Sequence, residues 1–222
     1  MPMRADLYVA VDLDKTIYDP IDRGVEGARR KGLSVSREEA ERIITAGRSD
    51  PQFTAFDFDG FYDAYDSPEL IERMDTPIRY APEVLRDLKE SVGIAYATAR
   101  PEGEGRKIRE ATIRLMKKDE IPNPDEDPDV LLIMKPRFVH GKDARRIKRA
   151  LLYGLANTIT LIGGVGDEKT DAEAYLENGV PAMILDPADA QKKLEFPAGT
   201  IFLSDWREIG RYIKEEILRK GG

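Results

Sequence analysis

The 222-residue chain contains no cysteine. Disulfides and thiol catalysis are therefore excluded, and a reactive site must be built from oxygen and nitrogen groups. No apolar run is long enough to span a bilayer and no segment reads as a signal peptide, so the expected location is the cytoplasm. Basic charge is also in short supply: 35 Lys and Arg against 42 Asp and Glu leave a formal charge of −7. With no long basic run, such a chain is a poor partner for nucleic acid or an anionic membrane. An anionic substrate would need local positive charge, from a metal ion or a well-placed lysine. What remains is globular, with 41% hydrophobic and 35% charged residues. The length suits one sizeable α/β domain, or one domain carrying a smaller insertion.

Short β-rich apolar runs predict buried strands at Leu7 to Val11, Val92 to Thr98, Val130 to Met134, Thr158 to Gly163, Pro181 to Leu185 and Thr200 to Leu203. Helical patterns lie between them. One stops at Gly179, a C-cap signal, and another starts behind Ser204, an expected N-cap. The alternation from Pro77 onward predicts an α/β fold with a doubly wound parallel sheet. Residues 17–76 break the rhythm. They offer two helical patterns and an aromatic-acidic patch but no clear buried strand, and are expected to form a small, mainly helical insertion. The expected division is thus a core of residues 1–16 and 77–222 with an inserted cap of residues 17–76.

Two stretches, Val11-Asp12-Leu13-Asp14-Lys15-Thr16 and Phe56-Asp57-Phe58-Asp59-Gly60-Phe61, carry Asp-x-Asp behind an apolar residue. Only the first follows a predicted strand, and ligands of open α/β sheets bind at the carboxyl ends of strands. Asp12 and Asp14 would leave that end pointing the same way, with Thr16 tying down the turn. The other predicted strand ends carry matching chemistry. Thr98 is followed by Ala99 and Arg100, Lys135 and Lys142 follow the third strand, and Asp167 and Asp171 follow the fourth. Carboxylates hold hard divalent cations, while a threonine hydroxyl and a lysine ammonium hold phosphate oxygens.

Asp12-Leu13-Asp14-Lys15-Thr16, Thr98, a lysine at a helix start, and Gly166-Asp167-Glu168-Lys169-Thr170-Asp171 together resemble the four motifs of the haloacid dehalogenase superfamily. The resemblance covers roughly residues 4–16 and 77–205, and implies a Rossmann-like core with a helical cap inserted after the first motif. It also implies roles. Asp12 is the nucleophile, giving an aspartyl-phosphate. Asp14 is the general acid and then the base. Thr98, Ala99 and a lysine hold the phosphoryl group. Mg²⁺ is held by Asp12, the Asp14 carbonyl and Asp167, with Asp171 as a direct ligand or behind one. For the lysine, Lys142 is preferred because it stands at the expected helix start. Lys135 comes next, and Lys148 last, since six residues of helix would carry it about 9 Å away.

The activity implied is Mg²⁺-dependent hydrolysis of a small phosphorylated metabolite. Alternatives are a receiver-like phosphoacceptor module and a phosphotransferase on the same scaffold. Arg100 is an open choice between substrate contact and structure, and His140 reads as a surface loop residue. The aromatic patch from Phe53 to Tyr65 either packs the cap's small core or faces the substrate.

Overall fold

The computed structural model describes residues 7–46, 56–103, 106–136, 144–186 and 195–219. Six strands form one parallel sheet: β1 (Leu7–Val11), β4 (Gly93–Pro101), β5 (Val130–Lys135), β6 (Thr160–Gly166), β7 (Ala182–Leu185) and β8 (Ile201–Leu203). Their order is β5-β4-β1-β6-β7-β8. The chain thus turns to opposite sides of β1, and the crevice above that reversal lies between the ends of β1, β4 and β6.

Alternate residues of the central strands face opposite ways, and each face has its own core. Val9, Val11, Ile94 and Tyr96 pack with α5 (Ala81–Lys89), α6 (Lys107–Lys118) and α9 (Trp206–Tyr212) on one side. Tyr8, Ala10, Ala95 and Ala97 pack with α7 (Ala144–Ala156) and α8 (Lys169–Glu177) on the other. Both faces being apolar is why these strands read as unbroken hydrophobic runs. The expected doubly wound sheet is therefore present. The cap of α9 differs from expectation. Asp205, not Ser204, accepts from the Arg207 and Glu208 amides, at 2.8 and 3.0 Å, and Ser204 instead bonds Glu208. Carboxylate and hydroxyl are both good cap acceptors.

Between β1 and α5 lie α1 (Ile21–Arg30), α2 (Arg37–Ala46), α3 (Phe58–Tyr65) and α4 (Pro68–Met74). Ala28, Ile43, Phe58, Phe61 and Tyr65 form a small separate core among the first three. In contrast, α4 packs against α6, and its Ile71 joins the main core. Where the segment leaves and returns, β2 (Tyr18–Asp19) and β3 (Thr76–Pro77) pair as a two-residue antiparallel ribbon. Both ends of the inserted helices are therefore fastened together beside the carboxyl end of β1.

Candidate active site

Asp12 follows β1 directly, and its backbone amide donates to the Val165 carbonyl of β6 at 3.0 Å. The chain then turns tightly. Lys15 takes a left-handed φ of 62°, and the Ile17 and Tyr18 amides both return to the Leu13 carbonyl. The buried Trp206 indole donates to the Thr16 carbonyl at 2.8 Å, and the Thr16 hydroxyl donates to Asp167 at 3.3 Å. A segment with few regular bonds of its own is thus held from α9 and from the end of β6.

Asp167 follows β6, and Asp171 lies in the first turn of α8. Asp171 accepts from the Asp167 and Glu168 amides, at 3.3 and 3.1 Å. Gly166 makes this approach possible, since a Cβ there would stand 2.5 Å from the Asp171 Cβ. Asp12, Asp167 and Asp171 each offer a carboxylate oxygen, all within 4.8 Å of one another. Burial pushes Asp12 well above the usual carboxylate range; Lys148 opposes this, and Asp171, Asp167 and Asp14 add to it. Burial and the adjacent Glu168 likewise push Asp167 up to about 7. Burial and neighbouring acids thus oppose the ionised forms of Asp12 and Asp167, and with Asp171 the site gathers three carboxylates. Their all-oxygen donor set therefore fits a hard divalent cation.

Lys148 provides the nearest positive charge, at 3.3 Å from Asp12 and 2.6 Å from Asp171. Burial would lower its pKa, but the facing carboxylates outweigh that and keep it charged. The lysine ranked last from sequence thus meets Asp12. The helix runs from Ala144, so Lys148 sits barely one turn along it and its long side chain spans the remainder. Lys142 and His140 lie outside the described residues, as does Phe53. Lys135 ends β5 and lines the same cavity as Asp12, Asp14, Thr98, Ala99, Lys148 and Asp167.

The Asp14 carboxylate is held by two arginines. Arg23 of α1 donates at 2.8 Å, and Arg100, at the end of β4, donates through Nε at 3.0 Å and also through Nη2. Both arginines also reach Asp75, beside β3, at 3.2 and 2.8 Å. Burial would raise Asp14, but Arg100 and Arg23 outweigh it and hold it at about 2. Asp75 shows the opposite balance: burial exceeds the arginines' pull and lifts it to about 6. Tyr65 stacks under the Arg23 guanidinium at 4.0 Å. Arg23 and Asp75 escaped the sequence reading. The available signal was that Arg23 shares its buried helix face with Gly24, Gly27 and Ala28, where an exposed arginine would not be expected.

The aromatic patch divides by residue. Phe58 and Phe61 fill the small core, Tyr65 belongs to that core and also borders the cavity, and Tyr62 lines the cavity with Ile44 and Asp66. Asp57, of the second Asp-x-Asp, is the N-cap of α3, accepting from the Gly60 amide at 3.0 Å, and does not line the cavity.

A scan against family models gives no match, and a search of curated proteins gives none either. Solved structures do match. A predicted phosphatase from Clostridium acetobutylicum is 15% identical, with a TM-score of 0.67 over 95% of this chain and 99% of that one. A haloacid dehalogenase-like hydrolase from Streptococcus pneumoniae is 14% identical, with a TM-score of 0.64 over 95% and 100%. A β-phosphoglucomutase from Clostridium difficile is 13% identical, with a TM-score of 0.58 over 96% and 97%. At 13–15% identity these likenesses show that the chain shares the fold of these structures.

Proposed function

We propose that the chain is a phosphohydrolase acting on a small phosphomonoester through an aspartyl-phosphate on Asp12. The observation carrying this is Asp12 itself: buried at the carboxyl end of the central strand, 3.3 Å from Lys148 and beside two further carboxylates. An Asp12 oxygen attacks phosphorus in line, and the ester oxygen leaves with a proton from Asp14. Water then attacks phosphorus, the bond from phosphorus to Asp12 breaks, and the water's proton passes to Asp14. Thr98, the Ala99 amide and Lys148 take the phosphoryl oxygens, with Lys142 as a further contact. Mg²⁺ held by Asp12, Asp167, Asp171 and the Asp14 carbonyl would neutralise the meeting of two anions.

The arginine fork suits the second step, in which Asp14 must be an ionised base. For the first step Asp14 must turn out of the fork and take up a proton. Arg23 belongs to the inserted helices, so a shift of α1 to α3 over the site would loosen Asp14 as it closes. That movement pivots on the β2–β3 ribbon, while α4 stays against α6. The closed form excludes water from the aspartyl-phosphate until product leaves.

Steady release of inorganic phosphate from p-nitrophenyl phosphate by the wild type, and none by Asp12→Asn, tests this reading. A single stable phosphorylation without turnover would instead indicate a phosphoacceptor module. Phosphate appearing on an added sugar rather than in solution would indicate phosphotransfer.

A further inference from the structure

We infer that Asp66 and Lys135 form a leaving-group subsite selecting uncharged, hydroxyl-rich phosphoesters over those with a charged leaving group. This rests on the phosphohydrolase reading and specifies its substrate class. The cavity beside Asp12 measures about 230 Å³, below the roughly 300–1,000 Å³ of drug-sized sites. That space suits a phosphoryl group carrying a small leaving group.

Most charged groups in this cavity already have a partner. Lys148 is held by Asp12 and Asp171, Lys15 by Asp167, and Arg100 by Asp14 and Asp75. Asp66 and Lys135 differ. Each is half-buried and lines the cavity, and neither side chain has a hydrogen bond or ion pair among the described residues. Asp66 ends α3 on the inserted side, and Lys135 ends β5 on the sheet side. A half-buried carboxylate and ammonium that make no hydrogen bond or ion pair among the described residues are costly to the fold and are open to a ligand.

Their charges cancel. An anionic leaving group drawn to Lys135 is repelled by Asp66, and a cationic one meets the reverse. A neutral polyol satisfies both, donating hydroxyl hydrogens to Asp66 and accepting from Lys135. The remaining wall includes Tyr62, Tyr65, Ile44 and Ile147, apolar surface for the carbon face of such a group.

The test compares kcat/KM for glucose 6-phosphate, phosphoglycolate and phosphoethanolamine, whose leaving groups are neutral, anionic and cationic. Wild type, Asp66→Asn and Lys135→Met are assayed, each checked for a cooperative melt. Wild type is expected to prefer glucose 6-phosphate. Asp66→Asn should raise phosphoglycolate relative to glucose 6-phosphate by about tenfold, and Lys135→Met should raise phosphoethanolamine by a similar ratio. The two shifts run in opposite directions, which a purely structural role would not produce. A wild-type preference for either charged ester overturns the inference. So does either folded variant changing all three substrates by one factor; if one variant fails to fold, the other decides. Hydrolysis of p-nitrophenyl phosphate with such a result removes the subsite alone. No hydrolysis of any ester removes the phosphohydrolase reading with it.

Discussion

Arg23 meets Asp14 at 2.8 Å, joining the first inserted helix to the turn that follows the central strand. The same guanidinium reaches Asp75, where the inserted segment returns, and Arg100 repeats both contacts from the sheet. Two arginines and two aspartates thus form a charge-balanced square straddling the boundary, buried except at Asp14. Removing one member leaves an uncompensated charge, so Arg23→Met should lower stability by about 3 kcal/mol. Adding Asp75→Asn should restore at least about half of that loss, because the stranded carboxylate is gone. Chemical denaturation of the two single variants and the double variant measures this. Strictly additive losses would show that the square is not a coupled unit.

The two Asp-x-Asp stretches separate cleanly by mutation. Asp12→Asn should reduce phosphate release by at least about a thousandfold while the fold is retained. Asp57→Asn keeps an N-cap acceptor on α3 and should change turnover by less than about twofold. Reversed outcomes would move the chemistry to the inserted helices.

Mg²⁺ should raise the melting temperature as well as being required for turnover, since it relieves repulsion among Asp12, Asp167 and Asp171. EDTA should abolish both effects, and Ca²⁺ should support binding better than turnover because its coordination is looser. Asp171→Asn should weaken the Mg²⁺ thermal shift. Full activity after exhaustive chelation would contradict the assignment.

Lys148→Met should lose more activity than Lys142→Met, by about a hundredfold in kcat/KM, because Lys148 is the lysine seen on Asp12. Equal losses would return Lys142 to an equal share of the phosphoryl contacts.

Burial pushes Asp66 up to about 6, against opposing pulls from Arg23, Lys135 and Arg100 and an added push from Asp14. The native state therefore holds a proton that the unfolded chain has released between about pH 4 and 6, so this group's favourable contribution fades as pH rises through that window. Asp66→Asn should accordingly be more stable than wild type by about 1 kcal/mol near pH 8 and equal to it near pH 4. Urea unfolding at the two pH values checks the sign. A variant less stable at both would mean that Asp66 is fixed by the fold.

The sheet was legible because both its faces are apolar, so β1, β4, β5 and β6 each announce themselves as hydrophobic runs, and Asp12, Thr98 and Asp167 stand where such runs stop. Lys148 was placed too far from the strand end because a helix's first residue depends on the loop before it, and its long side chain covers the remaining distance to Asp12. The ribbon of β2 and β3 has two residues per strand, too few for any period to show. Arg23 looks like Arg29 and Arg30 along the helix. Only the tertiary position of Asp75, 52 residues later, shows why one is fully buried and the others are not.

The indole hydrogen bond from Trp206 to the Thr16 carbonyl spans 190 residues of chain. During synthesis the aspartates at 12 and 14 leave the ribosome before Trp206 does, so the turn that carries them stays without this support until α9 follows. β1 waits in the same way for β4 and β6, its neighbours on either side. A chain made only as far as α8 therefore carries Asp12 on a turn that lacks its hydrogen bond from Trp206, so the last helix completes the support of the first strand's end.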